Sequence, residues 1–454
     1  MSERSFDVIV IGAGPAGEVC AGRLADGGLE VAIVEDDLVG GECSFYACMP
    51  SKALLRPAEA LAEVRRIPGA AEAVTGSLDV EAVLRRRDEV IHDLDDSAQL
   101  PWLEERGVTL VRGRGMLDGA RRVQVGGETL VARKAVVVAT GSMPAMPPIP
   151  GLRESEPWTN REATTSKTVP DRLTILGGGV VGSELAQAYA SLGAKVTLFD
   201  LVTRLIAREE EFASAQVQEA LEGLGVELRL GRKATEIRRD GVFTTVLDDG
   251  SELEGDALLV AVGRSFATRE LGVDTVGLEP GKPVEVDDQC RATGSDWLYA
   301  IGDANGRVLL THMGKYQARI AADTILGKEA SIVSDGALSP RVIFTDPQVS
   351  AVGYTLAGAK EAGLNVRAVD QPTSGNAGGS FYGRNAPGTA RLVIDEDKKF
   401  VVGATITGSD VADFLHAATI AVVAEVPLDK LWHAVPSFPT RSEVWLRLLE
   451  EYGL

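Results

Sequence analysis

The chain has 454 residues, enough for about three domains of ordinary size. Hydrophobic residues make up 45% of it and charged residues 25%, as in ordinary globular proteins, and no apolar run approaches the roughly 18 residues that a membrane helix needs. The formal net charge of -20 argues against nucleic acid or an anionic membrane as a partner. Since four cysteines do not make a disulfide framework and no membrane segment is predicted, we expect a cytoplasmic protein.

The first predicted element is a buried strand over residues 6–11, an apolar run rich in β-branched side chains. It leads into a GxGxxG sequence and a helical pattern, and a second strand over 31–34 ends at Glu35, 23 residues after the first glycine. The glycines are Gly12, Gly14 and Gly17. Such a loop lets the backbone approach a pyrophosphate at the helix N-terminus, and the acid binds ribose hydroxyls. The pattern predicts a dinucleotide-binding unit.

Two cysteines, Cys43 and Cys48, follow a glycine pair and precede a predicted helix. Residues five apart in an ideal helix lie roughly 8.6 Å apart between Cα atoms, whereas a disulfide needs about 7 Å or less. If the two cysteines bond, this turn must be bent, which Pro50 and the glycines permit. A thiol near a helix N-terminus is favoured as thiolate. Two unrelated buried cysteines are the alternative, and we predict no metal site.

Residues 143–150 contain four prolines and are predicted to be a linker. Beyond it the earlier pattern repeats, with a strand over 173–176, a second GxGxxG, a helix, and a strand over 195–199 that ends at Asp200. The second set of glycines is Gly177, Gly179 and Gly182. Asp200 again follows the first glycine by 23 residues, so two dinucleotides are implied. An acid here favours NAD over NADP, although Arg204 would soften that preference.

Further strands are predicted at 257–264 and 298–303, then a helix at 314–326, and an α+β region from Pro340 onward. Together, the motifs along nearly the whole chain resemble those of the flavin-dependent pyridine nucleotide-disulfide oxidoreductases, the family of dihydrolipoamide dehydrogenase, glutathione reductase and mercuric reductase. The matching motifs are GxGxxG at 12–17, GG-x-C-x4-C-x-P-S-K at 40–52, ATG at 139–141, GxGxxG-x-E at 177–184, VGR at 262–264, YAIGD at 299–303 and FTDPQ at 344–348.

The resemblance implies an α/β fold with two Rossmann-like dinucleotide-binding domains, one for FAD and one for NAD(P), and a C-terminal α+β dimerisation domain. The implied domains are 1–148 with 272–335 for FAD, 149–271 for NAD(P), and 336–454 for the dimer interface. It also implies a homodimer whose active site is shared across subunits, and a small-molecule electron acceptor.

The resemblance further implies which residues bind the cofactors. For FAD these are Gly12, Gly14, Gly17, Glu35, Gly41, Lys52, Gly115, Thr140, Gly141, Asp303 and His312. For NAD(P), with NAD(H) preferred, they are Gly177, Gly179, Val180, Gly182, Asp200 and Gly263. Val180 matches the residue that guards one flavin face in the family.

The implied reaction passes a hydride to the flavin and then two electrons to a disulfide. Cys48 matches the sulfur next to the flavin, and Cys43 matches the outward thiol that attacks a substrate disulfide. Lys52 and Glu184 match a buried pair beside flavin N5, where a cation stabilises negative charge on the reduced ring. A purely structural ion pair is the alternative reading of these two residues.

The C-terminus departs from the family pattern. Disulfide reductases of the family carry a His-Pro-Thr-x-Ser-Glu sequence as a general acid–base dyad, and here Glu443 is in place but Phe438 stands where the histidine should be. General acid–base catalysis is typically worth ~10²–10⁴ in rate. Glu443 is therefore either catalytic or only a helix cap or ion-pair partner, and Tyr46 or His433 is the candidate replacement for the proton donor.

Three functions compete. The first is an NAD(P)H-dependent reductase of a small disulfide, similar to dihydrolipoamide dehydrogenase. The second is an NAD(P)H-dependent reductase of quinones or metal ions, which need no protonated thiol leaving group. The third is a flavoprotein scaffold or redox sensor without turnover, against which the intact Cys43, Cys48, Lys52 and Glu184 argue.

Overall fold

The computed structural model describes residues 3–383 and 386–454. Within these residues the strands β1 to β21 are, in chain order, Glu3–Ile11, Val31–Glu35, Thr109–Arg112, Gly115–Leu117, Arg122–Val125, Glu128–Val138, Ser142–Pro144, Arg172–Leu176, Lys195–Asp200, Glu227–Leu230, Ala234–Asp240, Val242–Leu247, Glu252–Gly255, Ala257–Val260, Arg264–Phe266, Leu298–Ala300, Arg341–Ile343, Gln348–Gly353, Val366–Pro372, Thr389–Asp395 and Phe400–Gly408.

The α-helices of the same described residues, α1 to α13 in chain order, are Pro15–Asp26, Gly41–Phe45, Cys48–Arg66, Val80–Val90, Leu100–Glu105, Asn160–Thr165, Val180–Ser191, Glu211–Gly223, Thr311–Ile325, Leu356–Glu361, Val411–Val423, Leu428–Leu431 and Glu443–Tyr452. Within the described ranges, every helix is too short or too polar to cross a bilayer.

The chain forms two compact units. The first contains the described residues up to Pro50 together with 88–145 and 264–336, and the second contains 51–87, 146–263 and the described residues from 337 to 454. Residues 51–87, which the sequence assigned to the FAD domain, group with the second unit. The division into three domains stays a prediction.

The main sheet of the first unit has the strand order β3-β2-β1-β6-β5-β4, in which β16 also pairs with β6. Strand β1 lies parallel to both β2 and β6. Its side chains alternate between two cores, with Val8 and Val10 among residues of α1 and α9, and Ile9 and Ile11 on the other face. Burial on both faces explains why the run is continuously apolar. Pro15 opens α1, where its fixed φ suits the first helical turn.

The second unit contains three sheets. A parallel sheet of order β10-β9-β8-β14 packs against α7 and α8, and an antiparallel sheet of order β11-β12-β13 lies in the same segment of the chain. The C-terminal region has an antiparallel sheet of order β17-β18-β21-β20-β19, whose core includes residues of α11 and α13. The predicted α/β fold with a C-terminal α+β region is confirmed.

The predicted linker is partly wrong. Met143 and Pro144 belong to β7, which pairs antiparallel with β15. Pro144 is the last residue of β7, an edge position where the missing N–H of proline is tolerated. The linker predicted from proline content over residues 143–150 therefore begins too early, since its first two residues lie in β7.

Candidate active site

The first glycine-rich loop lies between β1 and α1. Gly12 has a φ of +104°, and a Cβ atom there would lie 2.4 Å from the carbonyl oxygen of Ala139. A Cβ atom on Gly17 would lie 1.9 Å from the carbonyl oxygen of Gly12. Only glycine allows both approaches. Glu35 ends β2, and its Oε2 accepts a hydrogen bond of 2.6 Å from the Ala13 N–H, which leaves lone pairs for ribose hydroxyls.

The space in front of this loop fits the phosphates of a dinucleotide. A Cβ atom on Gly14 would meet no protein atom within 4 Å, whereas one on Gly41 would lie 2.8 Å from the Gly14 Cα atom. Two glycine backbones thus border the N-terminus of α1, which favours negative charge. The buried hydroxyl of Thr140, also predicted to bind FAD, has no hydrogen-bond partner among the described residues. Gly141 beside it has a φ of +72° and open space around its Cα atom.

Asp303 follows β16 and joins a polar cluster in the first unit. Its Oδ2 accepts a hydrogen bond of 2.5 Å from the Ser142 hydroxyl. The Arg264 guanidinium donates to the Ser142 carbonyl oxygen at 2.6 Å and lies 3.5 Å from Glu42 and 3.8 Å from Asp303. Burial raises the pKa of Asp303, while Ser142 and Arg264 act in the opposite direction. His312 is exposed on α9, and Gly115 lies in β4.

The second glycine-rich loop, in the second unit, repeats the geometry of the first. A Cβ atom on Gly177 would lie 2.5 Å from the Ala261 carbonyl oxygen, and one on Gly182 would lie 1.8 Å from the Gly177 carbonyl oxygen. Gly179 has open space, and Val180 begins α7 with 44% of its surface exposed. Nearby, Gly263 has a φ of +123°. The Asp200 Oδ2 accepts a hydrogen bond of 2.6 Å from the Gly178 N–H, as Glu35 does in the first loop.

The predicted Lys52–Glu184 pair forms in the second unit. The Lys52 Nζ atom lies 2.7 Å from Glu184 Oε2, and 4.6 Å from the centre of the Phe344 ring. The side chain of Glu184 is buried on α7, and its Oε1 accepts a hydrogen bond of 2.9 Å from the Phe344 N–H. Both carboxylate oxygens are therefore engaged, and the ammonium group is held in one place.

The two cysteines lie on either side of a break between helices. Helix α2 ends at Phe45 and α3 begins at Cys48, so the irregular winding that a close approach requires is present. Both residues carry thiols rather than a disulfide. The Thr311 hydroxyl donates to Cys43 Sγ at 3.2 Å and lies 3.4 Å from Cys48 Sγ. The hydrogen bond with Cys48 and burial raise the pKa of the Cys43 thiol, whereas Thr311 and the charge of Lys315 lower it.

The C-terminal residues in question belong to the second unit. Glu443 begins α13, is buried, and accepts a hydrogen bond of 3.0 Å from the Gly378 N–H through Oε2. Phe438 is 78% exposed, and His433 is exposed as well. Among the described residues, no cluster of three or more acidic, histidine or cysteine side chains is arranged to hold a metal ion.

The sequence interpretation missed Thr311, Ser142 and Arg264 as site residues. Arg264 belongs to the VGR motif and Ser142 follows the ATG motif directly, so their positions in the sequence were a usable signal. Thr311 directly precedes the predicted His312, but its contact with Cys43 joins residues 268 positions apart and could not be read from the sequence.

Comparison with known proteins decides the family. A family model described as pyridine nucleotide-disulphide oxidoreductase matches residues 6–318, and the model of the corresponding dimerisation domain matches residues 339–448. The chain belongs to this family. Members of the pyridine nucleotide-disulphide oxidoreductase family are enzymes that use FAD and NAD(P)H, so the hypothesis of a scaffold without turnover is set aside.

Individual relatives cover nearly the whole chain. A dihydrolipoyl dehydrogenase of Haloferax volcanii is 31% identical over 98% of this chain and 95% of its own length. A mercuric reductase of Staphylococcus aureus is 30% identical over 96% of this chain and 81% of its own. Among solved structures, the Escherichia coli flavoprotein disulfide reductase RclA in its Cu(II) complex shares the fold, with a TM-score of 0.86 at 24% identity over 98% of this chain and 99% of that chain.

Proposed function

We propose that the protein is an NAD(P)H-dependent FAD enzyme that reduces a small disulfide through Cys43 and Cys48. The observation that carries this proposal is the position of both sulfurs within 3.4 Å of one hydroxyl oxygen, that of Thr311, which makes them neighbours able to form and break a disulfide. When bound, FAD accepts a hydride from NAD(P)H and makes two electrons available to a disulfide. The dihydrolipoyl dehydrogenases among the relatives support a dithiol or disulfide substrate.

The chain's own residues supply the thiol chemistry. The Cys43 thiolate attacks one sulfur of the substrate disulfide, forms a mixed disulfide and releases the other substrate sulfur as a thiolate. Cys48 then attacks Cys43, which re-forms the intramolecular disulfide and releases the second substrate sulfur. The substrate gains two electrons from the cysteine pair and two protons, one from the Cys48 thiol and one from solvent, and the cysteine pair returns to its disulfide.

Cofactor binding is assigned to the residues with matching geometry. The glycines at 12, 14, 17 and 41, with Glu35, Thr140, Gly141 and Asp303, would hold FAD, together with Gly115, His312 and Lys52. The Lys52 ammonium group would stabilise negative charge on the reduced cofactor, and Glu184 keeps that group in place. The loop of Gly177, Gly179, Val180 and Gly182, with Asp200 and Gly263, would hold the nicotinamide dinucleotide.

We further propose that NADH is preferred over NADPH. The Asp200 carboxylate at the end of β9 would repel a 2′-phosphate. The next two side chains, Leu201 and Val202, are apolar and 66% and 43% exposed, so they offer no cation. Arg204 donates hydrogen bonds from both of its terminal N–H groups to backbone carbonyl oxygens of its own loop, at 3.0 and 2.6 Å.

The alternative acceptor is a quinone or a metal ion. Phe438 carries no proton and is 78% exposed in the segment where disulfide reductases of the family have their histidine, and a mercuric reductase is among the relatives. We infer a homodimer with a shared active site from the match to the dimerisation domain. The cysteine content, four in 454 residues, favours a cytoplasmic location.

The test compares acceptors in wild type and in Cys43→Ser. We expect NADH to reduce the flavin in both proteins, and lipoamide or another small disulfide to be reduced by wild type alone. Cys290→Ser, which removes a buried thiol elsewhere in the first unit, is the matched control. Full disulfide reduction by Cys43→Ser would falsify the proposal, and turnover with quinones or metal ions but no disulfide would favour the alternative.

A further inference from the structure

One threonine hydroxyl contacts both reactive sulfurs. Thr311 is the first residue of α9, and its Oγ1 lies 3.2 Å from Cys43 Sγ and 3.4 Å from Cys48 Sγ. Cys43 belongs to α2 and Cys48 to α3, so the Thr311 hydroxyl brings side chains of three helices, α2, α3 and α9, into contact. The Leu310 position before it provides no side-chain cap for the helix.

We propose that Thr311 is a catalytic residue of the dithiol, whose hydroxyl donates its proton to whichever of the two sulfurs carries negative charge. This inference rests on the proposed function, since it assigns a residue to the same site. A hydroxyl has one donor and two acceptor positions, so it can donate to one sulfur while it accepts from the S–H of the other. A hydrogen bond to the charged form of a thiol favours that form.

The hydrogen bonds follow the redox state of the pair. Two electrons and one proton break the disulfide and leave one thiol and one thiolate. When Cys43 carries the charge, the Thr311 hydroxyl donates to it and the Cys48 S–H donates to the Thr311 oxygen. When the proton moves to Cys43, both hydrogen bonds reverse. The charge therefore shifts between the sulfurs without losing its partner, which suits a chain with Phe438 in place of the family histidine.

Charged side chains on three elements act on Cys43 or on the groups beside it. On α9, Lys315 lies one helical turn beyond Thr311 and on the same face, and its charge acts on Cys43. On α1, Glu18 also feels Lys315. On α2, Glu42 lies next to Cys43 and within 3.5 Å of Arg264. Lys315 supplies a diffuse positive potential, whereas the Thr311 hydroxyl supplies a directed hydrogen bond to Cys43.

The test measures thiolate formation without the nicotinamide. The holoenzyme is reduced with dithiothreitol, freed of it, and alkylated with iodoacetamide across a pH series, while mass spectrometry follows Cys43 and Cys48 separately. We expect Thr311→Val to raise the pH midpoint of alkylation at the more reactive sulfur by about one unit, so that the reaction below that midpoint slows about tenfold. Thr311→Ser, which keeps the hydroxyl, should stay within about twofold of wild type.

The matched control is Thr324→Val, near the other end of α9, where the hydroxyl has no hydrogen-bond partner among the described residues. It should leave the pH profile unchanged. If Thr311→Val does not fold, Thr311→Ala carries the same expectation with a smaller side chain. A profile in Thr311→Val or Thr311→Ala that equals that of Thr324→Val overturns the inference. If wild type showed no NADH-dependent turnover, the proposed function would be refuted, but the inference about Thr311 would not, because the alkylation test needs no nicotinamide.

Discussion

The Lys52 ammonium group and the Glu184 carboxylate are 2.7 Å apart, with only 4% of the Glu184 side chain exposed. The second oxygen of the same carboxylate accepts from the Phe344 N–H. Phe344 belongs to the loop that follows β17. One turn along α7, Gln187 contacts the same loop by accepting a hydrogen bond from the Asp346 N–H at 2.7 Å. Helix α7 therefore braces the loop at two points, and only one of them involves Lys52.

Because only one of the two contacts involves Lys52, variants at Glu184 and Gln187 can distinguish a catalytic role of Glu184 from a structural one. We expect Glu184→Ala to slow NADH-dependent flavin reduction about 10- to 100-fold, because Lys52 loses the partner that positions its charge. It should also lower the free energy of unfolding by about 2 kcal/mol, since a buried hydrogen-bonded charge is removed. Rapid-mixing absorbance and urea denaturation give the two quantities.

Gln187→Ala is the control for that experiment. It removes an acceptor from the same loop, so it should cost about 1 kcal/mol of stability, but it leaves Lys52 and Glu184 in contact. Flavin reduction in this variant should match wild type. Equal slowing in both variants would mean that the loop, and not the charge pair, controls the reaction.

Local spacing made much of this site predictable, and packing accounts for what was missed. A Cβ atom on Gly17 would meet the Gly12 carbonyl oxygen of the same loop, and the GxGxxG spacing is visible in any sequence window that contains it, although the contact that requires glycine at Gly12 is with the distant Ala139. The hydrogen bond of Thr311 to Cys43 depends on how α9 packs beside α1, which no local pattern encodes. The buried position of Glu443 likewise depends on Gly378, 65 residues away.

The two open glycines allow a paired test of cofactor binding. A Cβ atom on Gly14 or on Gly179 would meet no protein atom within 4 Å, so alanine at either position should leave stability nearly unchanged. We expect Gly14→Ala to weaken FAD retention at least about tenfold, because the methyl group enters the space assigned to the phosphates. Gly179→Ala should raise the KM for NADH and leave FAD bound.

Each of these variants is the control for the other, since the two loops have the same geometry in different units. FAD content after dialysis and the NADH dependence of flavin reduction are measured in both. Loss of FAD from Gly179→Ala, or full FAD retention by Gly14→Ala, would contradict the assignment of the first loop to FAD and the second to NAD(P)H.

Nucleotide preference should depend on Asp200 and not on Arg204. Asp200→Asn keeps an oxygen for the Gly178 N–H but removes the charge, so the ratio of kcat/KM for NADH to that for NADPH should fall about tenfold. Arg204→Ala should change the ratio less than about twofold, because the guanidinium is bonded to its own loop. A tenfold loss of NADPH use in Arg204→Ala would instead identify this arginine as a phosphate ligand.

Glu443 should act on stability more than on turnover. Its buried carboxylate accepts from the Gly378 N–H, and Glu443→Gln keeps an oxygen for that bond while it removes the ionisable group. We expect kcat to stay within about threefold of wild type, against the ~10²-fold or greater loss that removal of a general acid–base produces. A large loss of kcat with an altered pH profile would show that Glu443 is catalytic.

Glu18 should make the first unit less stable as pH rises. Burial raises the pKa of this carboxyl on α1 from its ordinary value near 4.5 to about 7, against the opposing charge of Lys315. Between these two pH values the folded chain keeps a proton that the unfolded chain has released, so stability falls with rising pH. The contribution is lost by pH 8 and amounts to about 3 kcal/mol.

Glu18→Gln removes this titration because its amide stays neutral. The variant should match wild type near pH 4.5 and exceed it by up to about 3 kcal/mol in free energy of unfolding at pH 8, so their difference grows across pH 4.5–7. Glu81→Gln, at a site with 90% of its side chain exposed, is the matched control and should show a constant difference. Urea denaturation of the FAD-saturated protein at four pH values measures both, and a Glu18→Gln difference that does not change with pH would show that this carboxyl titrates normally.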